Sequence, residues 1–120
     1  MIGRIWHGWT TADNADPYER LLRGEIFPAI AAKEASGYRG IQLFRRGLAS
    51  GDVEFITIMW FENLDSVRQF AGPDYEVAYV PDKARTLLSR FDARSQHYEL
   101  RETLESPRAA GPGEPESFAT

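Results

Sequence analysis

Residues 53–79 read Val53-Glu-Phe-Ile-Thr-Ile-Met-Trp60-Phe-Glu-Asn63-Leu-Asp-Ser-Val-Arg-Gln-Phe70-Ala-Gly-Pro-Asp-Tyr75-Glu-Val-Ala-Tyr79. An apolar β run ends at Trp60 and passes almost directly into a short capped helix. Val53, Phe55, Met59 and Phe61 fall on one face of the strand, and Ile56, Ile58 and Trp60 on the other. Neither face is polar enough to meet water. Asn63 is a helix cap, and Leu64, Val67, Phe70 and Ala71 form one apolar side. Gly72-Pro73 stops the helix, and a loop or helical turn over 74–81 carries Tyr75 and Tyr79. This junction decides the fold and marks the wall of a pocket.

Upstream, Ala49-Ser50-Gly51-Asp52 is turn chemistry that joins a strand over Tyr38–Leu48 to the 53–61 strand as a hairpin. Residues 2–10 form a first strand, with Ile2, Arg4, Trp6 and Gly8 on one face and Gly3, Ile5, His7 and Trp9 on the other. Asp16-Pro17-Tyr18-Glu19 is a helix start, and Tyr18, Leu21, Leu22, Ile26 and Ile30 continue at helical spacing to about residue 34. Pro28 clashes with the carbonyl of Gly24, which predicts a kink rather than a break. Downstream, Pro81-Asp82 opens a helix with Ala84, Leu87, Leu88 and Phe91 inward, and residues 94–101 alternate as a last strand. The order β-α-β-β-α-β is that of an α+β, ferredoxin-like fold: an antiparallel sheet with its helices on one face. The other face is apolar too, so a symmetric homodimer is expected to cover it.

A chain of 120 residues with 42% hydrophobic and 27% charged residues is one domain by size. The net charge of −4 is concentrated in residues 102–120, where Glu102, Glu105, Glu114 and Glu116 oppose Arg108. The near-neutral body has no electrostatic footprint for nucleic acid. The domain is expected over 1–101, with 102–120 a disordered acidic tail rich in proline and glycine. Without cysteine there is no disulfide, no thiolate nucleophile and no Cys-based metal site. No leader and no run of about 20 apolar residues is visible, so no membrane partner is expected and the expected location is cytoplasmic.

Gly37-Tyr38-Arg39-Gly40, Phe55–Trp60 leading into Asn63–Gly72, and Ser89-Arg90-Phe91 with His97-Tyr98-Glu99 together resemble the antibiotic-biosynthesis-monooxygenase-like family of dimeric α+β barrels. The resemblance covers residues 1–101. It implies a homodimer with a small-molecule cavity between sheet and helices in each protomer. It also implies cofactor-independent monooxygenation of an aromatic or polyketide-like molecule. Polyketide cyclisation or isomerisation in the same pocket, or non-catalytic binding as an accessory protein, are the alternatives. Aligned on Trp60, the tryptophan and axial histidine of the haem-degrading branch fall on Phe70 and Tyr79, and its asparagine near His7. With no imidazole at 79 that branch is not matched. In the polyketide oxygenases, Phe70 stands for the tryptophan and Tyr75 for the tyrosine of this segment.

An oxygenase without a cofactor needs a base, a dry pocket and donors for a developing oxyanion. His7 and His97 are the natural bases near neutral pH. His7, sharing a face with Ile5 and Trp9, is either the catalytic base or a histidine bonded within the sheet or dimer seam. His97, in the last strand, touches substrate or packs at the subunit boundary. Tyr75 is the second catalytic candidate, its hydroxyl holding a phenolate or peroxide; Tyr79 binds substrate, unless both rings simply pack. Trp60 and Phe70 line the site or seal the core. Arg4, if buried, needs an anionic partner or ligand; at a sheet edge it is solvated. No metal-ligand spacing, phosphate loop or Ser-His-Asp set is visible.

Overall fold

The computed structural model describes residues 1–107. The chain runs β1 (Ile2–Thr10), α1 (Ala12–Leu21), a π-helical segment (Leu22–Ile26), α2 (Phe27–Ala32), β2 (Tyr38–Gly47), β3 (Val53–Phe61), α3 (Leu64–Ala71), α4 (Asp82–Leu87), β4 (Arg90–Phe91) and β5 (Gln96–Glu99). The antiparallel sheet has the order β2-β3-β1, and β4 and β5 both pair with the far edge of β1. This is the ferredoxin-like α+β arrangement, with its last strand in two pieces.

Strands β1 and β3 lie where their alternation places them, and α3 starts on Asn63, whose side chain accepts from the Ser66 amide, and ends at Gly72 with φ of 93°. Two helix limits differ from the sequence reading. The first helix begins on Thr11, whose hydroxyl accepts from Asn14, so Pro17 lies inside it and Asp16 pairs with Arg45 instead of capping. The helix of residue 82 ends at Leu87 and does not reach Phe91. Leu88 is extended, and the Ser89 and Asp92 amides donate to the Trp9 and His7 carbonyls, which draws 90–91 onto the sheet as β4. At the expected kink the Phe27 amide reaches Leu22, five residues back, in the π segment. Pro28 has no N–H for Gly24, so a widened turn costs little there.

Register fixes the two faces of the sheet. Arg4 pairs with Met59, Trp6 with Thr57 and Gly8 with Phe55. That inner face packs on the helices through Tyr18, Leu22, Phe55 and Ala84 at one end and Ile2, Met59, Phe61 and Val67 at the other. The outer face carries Ile5, His7, Trp9, Phe44, Ile56, Ile58 and Trp60, and among the described residues no helix covers it. Residues 101–106 are exposed and irregular; most of the expected acidic tail, 108–120, lies outside the described residues. Among the described residues no helix is long and apolar enough to cross a membrane.

Candidate functional site

Between the inner sheet face and the helices lies a cavity of about 440 Å³, a volume suited to a small organic molecule. Leu22 and Ile26 of the π segment, Ile30 of α2 and Phe70 of α3 form its helical walls. Trp6, Thr57 and Met59 form its sheet side, and residues 77–81 close one flank. The π segment matters here because an i→i−5 turn displaces the backbone from ideal helical packing, and such turns recur at functional sites.

Arg4 is the one buried charged residue of the wall among the described residues, 6% exposed. One Nη1 proton goes to the Tyr75 carbonyl, and Nη2 donates to the Val77 carbonyl at 3.2 Å. Nη1 also lies 3.0 Å from His97 Nε2. A guanidinium only donates, so Nε2 accepts and the neutral ring carries its proton on Nδ1. That Nδ1 is buried without a hydrogen-bond partner, with Glu76 Oε2 3.8 Å away. Burial, and secondly the charge of Arg4, hold the His97 pKa below its ordinary 6.5, against the opposing pull of Glu76. Burial also lowers the pKa of Arg4, partly offset by Glu76. No carboxylate forms an ion pair with Arg4 among the described residues; Glu76 lies 3.6 Å from Arg94 instead.

The buried hydroxyls of Tyr18, Thr57 and Ser95 complete the polar lining. Tyr18 and Thr57 are buried on the cavity wall, and neither hydroxyl has a hydrogen-bond partner among the described residues. Burial raises the Tyr18 pKa, so it stays a phenol and a donor. Exposed charges also line the cavity, with Glu25 bonded to Lys83 at 2.8 Å and Lys33 over the Phe70 ring.

Of the residues singled out from the sequence, Arg4, Phe70 and Tyr79 line the cavity, Tyr79 as a largely exposed side chain. His97 reaches it only through Arg4. Tyr75 stands behind Arg4, its ring edge-on to His97 at 5.0 Å, and does not line the cavity. His7 and Trp60 lie on the outer face, so their expected place in the pocket is corrected. A strand turns successive side chains to opposite faces, and Arg4 and Trp6 take the inner one. His7 Nδ1 is 2.9 Å from Asp92 Oδ2 and its ring stacks on Trp9, while Trp60 Nε1 donates to Gln42 at 2.9 Å. Sequence reasoning missed Trp6, Tyr18 and Thr57 as lining residues. The available signal for Trp6 was its shared face with Arg4; Tyr18 and Thr57 read as ordinary core. Among the described residues no group of three or more His, Asp or Glu could hold a metal ion.

No protein-family model and no curated protein matches the chain. Solved structures do. Rv0793 from Mycobacterium tuberculosis superposes with a TM-score of 0.56 at 16% identity over 87% of this chain and 98% of its own. A candidate antibiotic biosynthesis monooxygenase from Deinococcus radiodurans gives 0.55 at 15% identity over 88% and 98%. Another from Bacillus cereus gives 0.56 at 13% identity over 88% and 96%. At these identities the likeness establishes the fold: this chain has the α+β fold of structures described as candidate antibiotic biosynthesis monooxygenases.

Proposed function

We propose that the chain is a homodimeric oxygenase that oxidises a small aromatic or polyketide-like molecule in the cavity beside Arg4, without metal, flavin or haem. The observation that carries this reading is an apolar cavity whose single buried charge is an arginine without an ion-pair partner among the described residues. An enol or phenol that loses its proton becomes electron-rich enough to pass an electron to dioxygen. Recombination gives a peroxide, and loss of water leaves a carbonyl. A methylene and O2 thus become a carbonyl and water, and all four electrons come from the substrate. Arg4, Tyr18 and Thr57 supply donors for the charge that develops on oxygen. His7, on the outer face, takes no part.

Oxygen uptake with a hydroxyanthrone tests this. Uptake that matches quinone formation, falls about tenfold or more in Arg4→Met and is unchanged in His7→Ala is expected. Uptake no faster than in protein-free buffer would remove the oxygenase reading. One observation favours a second reading, a binding protein without turnover: among the described residues, the buried wall of the cavity holds no carboxylate or imidazole to act as base. Binding of the hydroxyanthrone without oxygen uptake would select it.

A further inference from the structure

We propose that the cavity selects its ligand as an anion: an acidic, otherwise apolar molecule whose carboxylate, or ionised phenol or enol oxygen, rests on Arg4. This inference rests on the reading above that the cavity is the ligand site.

A guanidinium has five N–H donors. Arg4 commits three, to the carbonyls of Tyr75 and Val77 and to His97 Nε2. All three acceptors are neutral, since His97 cannot take a proton on the nitrogen that faces Arg4 without placing two cations 3.0 Å apart. Holding the 75–77 segment to β1 needs hydrogen-bond donors, which a neutral side chain also offers. It does not need a charge, and a buried charge left uncompensated is costly. The groups that face Arg4 are His97 from β5 and Glu76 from the 72–81 segment, with Glu76 turned toward Arg94. The remaining charges of the wall are Glu25 and Lys83, which pair with each other, and Lys33. The charged side chains of the wall therefore sum to plus two, one of them dry, with Glu76 behind Arg4 offsetting part of its charge. The surrounding wall of Trp6, Ile26, Ile30, Met59 and Phe70 rejects a small, strongly hydrated anion such as phosphate and accepts a ring system. An anionic oxygen would engage the uncommitted donors of Arg4, and the free hydroxyls of Tyr18 and Thr57 are further donors on the same wall.

The consequence for chemistry is direct. A cavity whose buried wall has no base can still take an acidic substrate in its reactive form if it binds the ionised species and lets solvent keep the proton. Ionisation is then set by the ligand and by the field of Arg4 rather than by a titrating side chain.

Calorimetric titration with 1-naphthoate and its neutral isostere 1-naphthamide tests the charge requirement. Naphthoate is expected to bind about tenfold or more tightly than naphthamide. Arg4→Met should remove the preference and leave naphthamide binding in place, while Lys33→Met and Lys83→Met should keep it. Because Arg4→Met also cuts the tie to the 75–77 segment, a second measurement uses the unaltered protein. Bound 4-nitrophenol is expected to show the phenolate absorption at a pH where the free compound is mostly neutral, an ionisation constant raised about tenfold. A merely apolar pocket would do the reverse and hold it neutral. Naphthoate preference with neutral bound 4-nitrophenol assigns the site to carboxylates; ionised 4-nitrophenol assigns it to phenols and enols. The inference is overturned by equal affinity for naphthoate and naphthamide together with a neutral bound phenol. It is equally overturned if neither anion binds, or if the naphthoate preference survives in folded Arg4→Met or is lost in Lys33→Met or Lys83→Met. None of these readings requires turnover. Absent oxygen uptake with an intact anion preference sinks the oxygenase alone, and uptake without that preference sinks the anion site alone.

Discussion

Arg4 lies near the start of β1 on its inner, largely apolar face, where a long cationic side chain has no ordinary place, and the residues around it show how it is kept there. Backbone carbonyls of Tyr75 and Val77 take two of its protons and the His97 ring a third. The cost falls on His97, whose Nδ1 has no hydrogen-bond partner and whose protonated form the site disfavours. Because the folded-state pKa is depressed, the unfolded chain binds the extra proton as pH falls through about 6.5 while the folded chain does not. Stability is thus fullest above that pH and declines below it. Thermal unfolding followed from pH 7.5 to 5.5 should show a falling midpoint, and His97→Gln should flatten that part of the profile. Glutamine still offers Arg4 an acceptor. An equal slope in both proteins would mean that His97 does not carry the effect.

At the scale of elements, most of the frame was legible because single residues dictate it. Asn63 and Gly72 bound α3, the 48–52 turn closes the β2–β3 hairpin, and Pro28 against Gly24 marks the place where the first helix widens. What was not legible depends on partners distant in sequence. Residues 88–92 have the apolar spacing of a helix, yet the free edge of β1 offers the carbonyls of Trp9 and His7, and the chain leaves the helix to bond them. The site suffered from the same limit. Both faces of β1 carry an aromatic and a cationic or titratable residue, so alternation alone could not say whether Arg4 and Trp6 or His7 and Trp9 look into the cavity. The pairing of Arg4 with Met59, and the helices packed on that side, decide it. Arg4 was recognisable as a group needing a partner if buried, but its burial is a property of the assembled sheet. Tyr18 and Thr57 gave no sign at all, since a cavity-lining hydroxyl and a core residue leave the same spacing.

For the whole molecule, the outer sheet face and the inner cavity are separate surfaces. Phe44 and Tyr98 are 50% and 57% exposed on a face that also carries Ile5, Ile56, Ile58 and Trp60, a largely apolar surface interrupted by His7 and Gln42 that a second copy would cover. Light scattering should give a particle of twice the 13.6 kDa chain, and Ile58→Glu should halve it. A monomer for the unaltered chain would contradict the homodimer. The three tryptophans also sort by face, Trp6 on the cavity and Trp9 and Trp60 on the outer surface. That division allows the most direct test of where a ligand goes. A proton–nitrogen correlation spectrum resolves the three indole N–H signals, and 1-naphthoate can be titrated while they are watched. Binding beside Arg4 predicts that the Trp6 signal shifts in step with occupancy while those of Trp9 and Trp60 stay in place. A shift confined to Trp9 and Trp60, with Trp6 unmoved, would put the ligand on the outer face and contradict the cavity as the site.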